Sequence, residues 1–237
     1  MAGKDIFKFK QFELRHKQSP FKIGTDGLLL GAWAGVNKQA EHILDIGTGC
    51  GLIAHMLAQR AENAIVHGIE INAEAFQEAM ENARRSSWNN RLTMYHGGVQ
   101  YFNPPNQYDQ IVSNPPYFEN SWLSANEQLA KTRHTITLSH TSLLESAKRL
   151  LNQNGSFEVI LPFTEGQKFI SLAKTYDLHL YRYTAVTGKQ GKTVERLLLA
   201  FSALPQTVEK SSLCVRNLNG GYTDEYLALT KDFHSFV

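Results

Sequence analysis

The feature that most constrains the fold of this chain is an apolar run that leads into a glycine-rich loop and then into a helix. The run and the loop read Ile43-Leu44-Asp45-Ile46-Gly47-Thr48-Gly49-Cys50-Gly51. Apolar residues continue at helical spacing after the loop, at Leu52, Ile53, Met56 and Leu57. A strand, a glycine loop and a helix in this order open nucleotide-binding α/β units, because glycine adopts torsions closed to other residues and lets a ligand approach the main chain. The spacing Gly-x-Gly-x-Gly differs from the Gly-x-Gly-x-x-Gly of pyrophosphate-binding folds, which disfavours a dehydrogenase.

Two further apolar runs end at polar residues. Residues 65–69 run into Glu70, and residues 108–113 run into Asn114-Pro115-Pro116-Tyr117. The carboxylate follows the glycine loop by roughly the 20 residues expected of an acid that binds ribose hydroxyls. The second motif offers an amide oxygen and a backbone carbonyl that accept N–H bonds, and an aromatic ring for stacking. These groups suit a planar substrate that bears nitrogen, although a Pro-Pro turn after a strand also occurs where no chemistry takes place.

The placement of these features matters more than any one of them. Ligands in open α/β sheets bind beyond the carboxyl ends of the strands, near the reversal of strand order. The glycine loop, Glu70 and Asn114 each follow a different strand, so that a single crevice can hold all three. The combination is therefore more specific than a lone glycine loop or a lone acid at a strand end.

In this combination the chain resembles the class I S-adenosylmethionine (SAM)-dependent methyltransferases, in the branch that methylates amino or amide nitrogens. Residues 21–33, 194–199 and 222–233 also resemble segments of bacterial tRNA N6-adenine methyltransferases. The resemblance covers nearly the whole chain, and the most similar family is that of the tRNA1(Val) (adenine(37)-N6)-methyltransferases. It implies a Rossmann-like α/β fold with a seven-stranded, mostly parallel sheet, an antiparallel last strand and helices on both faces.

The resemblance also implies roles for individual residues. The expected catalytic motif is Asn114, Pro115, Pro116 and Tyr117. The expected cofactor-binding residues are Thr25, Asp26, Asp45, Gly47, Thr48, Gly49, Gly51, Glu70, Gly98 and Asn114. Gly98 departs from the family pattern, because related methyltransferases commonly carry there an acid that binds the cofactor adenine. We therefore expect adenine recognition to rest on backbone groups or on Gln100.

The chemistry that the resemblance implies is transfer of a methyl group from SAM to an adenine amine, leaving S-adenosyl-L-homocysteine. This amine is a poor nucleophile, because its lone pair is delocalised into the ring. Hydrogen bonds from both amine hydrogens, to the Asn114 side-chain oxygen and the Pro115 carbonyl, would favour a pyramidal nitrogen and stabilise its developing charge. Stacking on Tyr117 would hold the base.

Composition predicts one domain. With 237 residues, of which 42% are hydrophobic, the chain can bury one sizeable core. We expect residues 1–237 to form this domain, with residues 1–40 as a basic, aromatic N-terminal extension packed on it. The pattern predicts a helix capped by Asn72, a helix opened by a capping box at Ser142 and closed by Asn154-Gly155, and later strands at 156–161, 179–186 and 195–201.

Cysteine usage and hydropathy bear on location. No apolar run approaches the ~20 residues of a membrane span. Only two cysteines occur, Cys50 and Cys214, and the histidines show no metal-ligand spacing. We therefore expect a cytoplasmic protein without a metal site and, in addition, a monomer.

The net charge of +2 is too small to indicate nucleic-acid binding, but the distribution of basic residues is more suggestive. The expected tRNA contacts are Lys8, Lys10, Lys17, Lys22, Arg133, Lys189, Lys192 and Arg196. The first four alternate with phenylalanines, a mixture that suits single-stranded RNA. An ordinary hairpin with core phenylalanines and solvated lysines would show the same pattern.

Three alternatives to this function stay open. Glutamine methyltransferases that act on protein release factors use a closely similar Asn-Pro-Pro-Tyr motif, but as a family they carry a helical N-terminal domain that this chain has little room for. Guanine N2-methyltransferases of ribosomal RNA share the motif type. A module that binds SAM or RNA without turnover is the non-enzymatic alternative, and the intact motif disfavours it.

Overall fold

A mixed β-sheet organises the computed structural model, which describes residues 5–20, 22–37, 39–116 and 138–234. The first half of the chain forms β1 (Ile6–Lys8), β2 (Glu13–Arg15), α1 (Thr25–Trp33), β3 (His42–Ile46), α2 (Leu52–Arg60), β4 (Ile65–Glu70), α3 (Ala73–Arg85) and β5 (Leu92–His96). The second half forms β6 (Tyr108–Ser113), α4 (His140–Leu150), β7 (Leu151–Pro162), α5 (Phe163–Lys174), β8 (His179–Lys189), β9 (Arg196–Ser202), β10 (Glu209–Arg216) and α6 (Asp224–Thr230). A single 3₁₀ turn, Val99–Tyr101, follows β5.

The main sheet confirms the predicted fold class. Its strand order is β10-β8-β9-β7-β6-β3-β4-β5, and β9 runs antiparallel to both of its neighbours while the other pairs are parallel. Among the described residues the sheet has eight strands, one more than predicted. The additional strand, β10, pairs with β8 at the edge and buries few side chains. Its sequence is mostly polar, and an edge strand of this kind shows little hydrophobic periodicity.

Helices cover both faces of the sheet, and the strands are apolar on both sides as a result. Successive strand residues alternate between two hydrophobic clusters: Ile43 and Ile160 face the cluster that contains α1 and α2, while Leu44 and Leu161 face the cluster that contains α4 and α5. All four side chains are fully buried. This two-sided burial keeps the strand ends in register at one end of the sheet.

Two of the predicted helix boundaries are wrong. Asn72 caps α3 as predicted, since its side chain accepts a hydrogen bond from the N–H of Ala75 at 2.9 Å. The cap of α4, however, is Ser139 rather than Ser142, and its hydroxyl accepts from the N–H of Ser142 at 3.0 Å. The turn signal at Asn154-Gly155 does not end the helix. It lies within β7, where the register against β6 shifts.

The N-terminal segment forms the hairpin that was one of the two interpretations of its sequence. β1 pairs with β2, and the ring of the buried Phe9 stacks on Phe12 with centroids 4.5 Å apart. Phe12 also contacts His55 and Trp88. Phe9 is buried in the hydrophobic core and Phe12 is partly buried against it, which agrees with the hairpin interpretation.

A buried polar network holds the end of α1 against the sheet. Glu158 of β7 is fully buried, and it accepts hydrogen bonds from the Gly35 N–H at 2.9 Å and from the Gln110 amide. Arg182 of β8 lies 3.5 Å from the same carboxylate, and its guanidinium lies 3.7 Å from the centroid of the Trp33 ring. Burial raises the pKa of Glu158, and the two hydrogen bonds and Arg182 counteract that rise.

We expect Arg182→Ala to lower the free energy of unfolding by about 2–4 kcal/mol, because removing one partner of a buried ion pair leaves the other charge uncompensated. Urea denaturation at neutral pH measures the change. Arg84→Ala is the matched control, since Arg84 is exposed on α3 and its truncation should cost less than about 0.5 kcal/mol. Equal stability of the two variants would contradict this role of Arg182.

Candidate active site

A cavity of about 680 Å³ opens at one end of the sheet, beyond the carboxyl ends of β3, β4, β5 and β6. It is lined mainly by residues 22–27, 46–50, 69–72, 97–100 and 113–116. These are the first turn of α1 with the residues before it, the glycine loop, the end of β4, the segment after β5, and the motif after β6. The structure therefore brings together in one crevice the three features that the sequence places after separate strands.

The glycine loop depends on left-handed backbone torsions. Gly47, Gly49 and Gly51 have φ angles of 72°, 57° and 90°. The N–H groups of Gly47 and Thr48 donate to the carbonyl of Ile69, at 2.9 and 3.1 Å, which joins the loop to the end of β4. A Cβ atom on Gly47 would meet no heavy atom within 4 Å, so this face of the loop is open. Gly51 caps α2.

Asp45 is placed differently from its expected role as a cofactor contact. It is 1% exposed and is not among the residues that line the cavity. One carboxylate oxygen accepts hydrogen bonds from the Thr48 hydroxyl at 2.6 Å and the Ala54 N–H at 3.1 Å, while the other has no hydrogen-bond partner. Burial raises the pKa of Asp45 to about 7. In this geometry the buried carboxylate binds the glycine loop and the start of α2.

Glu70 lines the cavity at the end of β4. Its two carboxylate oxygens accept hydrogen bonds from the Gly49 N–H at 2.9 Å and the Asn72 N–H at 2.8 Å. A carboxylate has about four acceptor positions, so two bonds leave capacity for the hydroxyl groups of a ligand. Glu70 thus holds the glycine loop and is also able to accept from a ribose.

In the segment after β5, the side chain of Gln100 lies next to Gly98. Gly97 has a φ angle of 151°, a torsion that side chains rarely adopt. A Cβ atom on Gly98 would lie 2.8 Å from the Gln100 side-chain oxygen. The Gln100 amide therefore occupies the space next to Gly98, and both residues line the cavity.

The motif after β6 contributes Asn114, Pro115 and Pro116 to the cavity wall. Ser113 anchors the preceding strand end through a 2.9 Å hydrogen bond from its hydroxyl to the Ile46 carbonyl. The Asn114 amide nitrogen lies 3.8 Å from the position of a Cβ atom on Gly27, so α1 closely approaches the motif. Two expected functional residues, Tyr117 and Arg133, lie outside the described residues.

Thr25 and Asp26, in the first turn of α1, line the same cavity. Asp26 accepts a 2.9 Å hydrogen bond from the Arg196 Nε, and both side chains are partly buried. Arg196 was expected to contact tRNA, but its guanidinium is directed at Asp26, and it does not line the cavity. The sequence offered no reason to pair two residues that lie 170 positions apart.

The expected basic residues of the N-terminal segment differ in their surroundings. Lys22 lines the cavity, but its ammonium group donates to the carbonyls of His16 and Lys17, both at 2.8 Å. Lys8, Lys10 and Lys17 are exposed. The ammonium of Lys10 binds the Lys231 carbonyl at 2.6 Å, and that of Lys17 lies 3.8 Å from Asp5.

Lys189 and Lys192 are exposed at the end of β8 and in the loop that follows. β7 and β8 run in the same direction, because both are antiparallel to β9. Lys189, at the end of β8, therefore lies at the same end of the sheet as the cavity. Arg216, at the end of β10, pairs in register with Lys189. Arg216 is a basic residue at this end that the sequence did not single out, because β10 itself was not predicted.

Ser19, Pro20 and Leu138 are among the lining residues that the sequence did not single out. They belong to common residue types in segments without a motif, so no sequence signal indicated them. In the part of the chain that the structure describes, no group of three or more histidine, cysteine or acidic residues is arranged to hold a metal ion. None of the described helices is both long and apolar enough to cross a membrane.

Comparisons with known proteins agree with this geometry. The family model described as methyltransferase small domain matches residues 23–179. A solved structure described as a predicted O-methyltransferase from Agrobacterium tumefaciens has a TM-score of 0.68 at 16% identity and covers 88% of this chain and 96% of its own. The glycopeptide N-methyltransferase MtfA, solved with S-adenosyl-L-homocysteine, has a TM-score of 0.54 at 12% identity, covering 78% and 90%. The chain is a class I, SAM-dependent N-methyltransferase.

Curated relatives narrow the class to one family. A protein of Flavobacterium psychrophilum is 40% identical over 231 residues, covering 97% of this chain and 99% of its own, and one of Histophilus somni is 41% identical over 237 residues, covering 99% of each. A third, from Proteus mirabilis, is 40% identical and covers 97% of this chain and 94% of its own. All three are named tRNA1(Val) (adenine(37)-N6)-methyltransferase. The chain belongs to this family.

We expect the buried Asp45 to make the protein less stable as the pH rises. A carboxyl whose pKa is raised from 3.8 to about 7 in the folded state binds its proton more tightly there than in the unfolded chain, so the free energy of unfolding falls as the pH rises between these values. From pH 5 to pH 8 the wild type should therefore lose roughly 2–3 kcal/mol that Asp45→Asn does not lose.

Urea denaturation of both proteins at the two pH values measures this difference, and other titrating groups cancel in the comparison. Glu62→Gln is a control for removal of an acidic side chain, because Glu62 is exposed in the turn after α2. A stability difference between wild type and Asp45→Asn that does not change with pH would contradict the expectation.

Proposed function

We propose that this protein transfers a methyl group from SAM to the exocyclic N6 amine of adenine 37 in tRNA1(Val). The observation that carries the proposal is the position of Asn114 and Pro115, which line the same cavity as the glycine loop and Glu70. The curated relatives, which match nearly the full length of the chain, support the choice of tRNA and of nucleotide.

The cavity has groups that suit each part of the cofactor. The open face at Gly47 suits the methionine end, and Thr25 and Asp26 line the same cavity. Glu70 has free acceptor capacity for the ribose hydroxyls. Gln100 and the backbone at Gly98 are the candidates for the adenine edge. Bound SAM supplies a methyl group that is already activated by its positively charged sulfur.

The role of Asn114 follows from what an adenine amine lacks. Its lone pair is delocalised, so two acceptors that bind its two N–H groups favour a pyramidal nitrogen with a more available lone pair. The Asn114 side-chain oxygen and the Pro115 carbonyl are such acceptors, and both are uncharged. They stabilise the positive charge that develops on the nitrogen, and their preorganisation lowers the barrier. No strong base is required, because the methylated nitrogen loses its proton readily.

Stacking and positioning complete the proposed mechanism. The ring of Tyr117, next to Pro116 in the chain, is the candidate to stack on the base, a contact typically worth about 1–3 kcal/mol. Alignment of the nucleophile with the methyl group contributes separately, and such positioning is worth roughly 7–11 kcal/mol in favourable systems.

We propose that the tRNA binds across the end of the sheet that the carboxyl ends of the parallel strands form. Lys189, Lys192 and Arg216 lie at this end, and exposed cations attract the phosphates that flank a base removed from its stack. Lys8, Lys10, Lys17, Lys22 and Arg133 remain candidate contacts. Arg196 is a weaker candidate than the sequence suggested, because its guanidinium binds Asp26.

The related activities differ in substrate rather than in motif. Glutamine and guanine N2-methyltransferases need the same acceptor groups, so the motif does not exclude them. The full-length similarity to tRNA adenine methyltransferases favours the proposed substrate, and no described feature specifically favours the others. A single domain over residues 1–237, a monomeric state and a cytoplasmic location stay predictions.

We expect Asn114→Ala to lower kcat by about 10²–10³, the scale of losing one preorganised polar partner. SAM affinity should change little, because Asn114 binds mainly the substrate amine.

Purified protein, labelled SAM and separate tRNA, rRNA and protein pools provide the assay, followed by nucleoside analysis of the product. Asn90→Ala, in the exposed turn before β5, is the control. Undiminished methylation by the Asn114 variant would refute the role, and label in a glutamine side chain would refute the function.

We expect the double variant Lys189→Ala/Lys192→Ala to weaken tRNA binding about threefold to thirtyfold and to reduce the slope of log Kd against log salt by about 1–2. The reason is that each lysine lost removes one phosphate contact. Filter binding from low to high salt measures both quantities. Lys148→Ala is the matched control, because Lys148 is exposed near the end of α4, at the opposite end of the sheet. An unchanged salt slope would show that the tRNA does not bind at the end where Lys189 lies.

A further inference from the structure

We propose that Glu78 and Asn82 of α3 are positioning residues for the cofactor, which hold one wall of the cavity in the shape that binds SAM. The wall is the segment of residues 17–19, called here the strap. This inference rests on the proposed function, because it concerns the affinity of the same cavity for SAM. The expected contacts of the chain with SAM include neither residue.

Glu78 binds the strap through its backbone. One carboxylate oxygen accepts hydrogen bonds from the N–H groups of Lys17 at 2.6 Å and Gln18 at 3.0 Å, and the other accepts from the Ser19 N–H at 2.9 Å. The Glu78 side chain is buried, at 4% exposure of the residue. Hydrogen bonds to an ionised carboxylate are stronger than neutral ones, and burial excludes competing water. Three consecutive amides are thus held by one side chain.

The strap lies directly against the glycine loop. Ser19 is 1% exposed and lines the cavity, and its hydroxyl oxygen lies 3.6 Å from the position of a Cβ atom on Gly49. Gly49 is also the residue whose N–H binds Glu70. The strap therefore closes the cavity at the glycine loop, which is the part expected to hold the methionine end of SAM.

Asn82 lies one helical turn after Glu78, on the same face of α3, and joins the end of β2, just before the strap, to the glycine loop. Its side-chain oxygen accepts from the Arg15 N–H at 3.0 Å, and its amide group donates to the carbonyls of Arg15 and Cys50, both at 2.9 Å. Cys50 belongs to the glycine loop, and Arg15 is the last residue of β2. One buried amide thus fixes both pieces of backbone relative to α3.

This arrangement matters because neither the strap nor the glycine loop is part of the sheet. Their relative position depends on the buried side chains of α3 rather than on strand pairing. Loss of the Glu78 carboxylate leaves backbone amides without acceptors, so the strap must move toward water to satisfy them. The cofactor end of the cavity then opens. The Glu78 carboxylate binds residues 17–19, whereas Asn114 follows β6 of the sheet, so we expect the amine site to keep its geometry.

The test compares Glu78→Gln with Glu81→Gln. The amide keeps one acceptor oxygen, but its NH₂ group meets a strap N–H. We expect the Kd for S-adenosyl-L-homocysteine, measured by calorimetry, and the KM for SAM to rise about tenfold. The value of kcat at saturating SAM should stay within about twofold of wild type. Glu81 lies on the same helix but is exposed, 3.8 Å from Arg15, and its variant should match the wild type.

Two further variants separate positioning from a general structural role. Glu78→Asp keeps the carboxylate on a shorter side chain and should restore part of the affinity, whereas Asn82→Ala should weaken cofactor binding with the same unchanged kcat. If Glu78→Gln does not fold, Asn82→Ala carries the test with the same criteria. Unchanged affinity in a variant of lowered Tm would overturn this inference alone. A wild-type protein that binds no S-adenosyl-L-homocysteine would overturn the proposed function together with it.

Discussion

The site depends on how the backbone of the glycine loop is held. Three glycines with left-handed torsions let the loop turn sharply between β3 and α2. Such a loop has no strand partner, so its polar groups need other partners. The Ile69 carbonyl and Glu70, at the end of β4, accept hydrogen bonds from N–H groups of the loop. The buried Asp45 accepts one from the Thr48 hydroxyl. Only with these contacts in place does the loop present an open face to the cavity.

The N-terminal part of the chain is a structural component of this site. α1 is held at both of its ends: Arg196 binds Asp26 in the first turn, and the network of Glu158 and Arg182 holds the region of Trp33 and Gly35. The helix thereby lies beside the motif after β6. The hairpin before α1 is joined to α3 through Asn82. Segments that precede the glycine loop thus form one wall of the cavity.

Sequence reasoning succeeded where a local pattern decides the structure. Apolar runs with polar ends located the strands that carry the site, and the Asn72 cap was recognised because an amide before an amphipathic helix is a local signal. It failed at β10, whose mostly polar sequence shows no hydrophobic alternation. It also failed at Asn154-Gly155, where residues typical of a turn lie within β7, near a register shift against β6. At α4 the capping box predicted at Ser142 was wrong, because the helix begins earlier and Ser139 caps it.

The sequence predicted most of the residues that form the candidate site, but few of the contacts between them. The sequence by itself determined the class of fold, the order of the loop, the acid and the amide motif, and their meeting at one end of the sheet, because parallel strands bring their carboxyl ends together. Only the tertiary structure decided that Asp45 supports the loop, that Arg196 binds Asp26, and that Glu78 holds residues 17–19. The last two of these contacts join residues from separate elements, 59 to 61 positions apart for Glu78 and 170 for Asp26 and Arg196. Pairings of this kind are set by packing of buried surfaces, and no local period or motif encodes them.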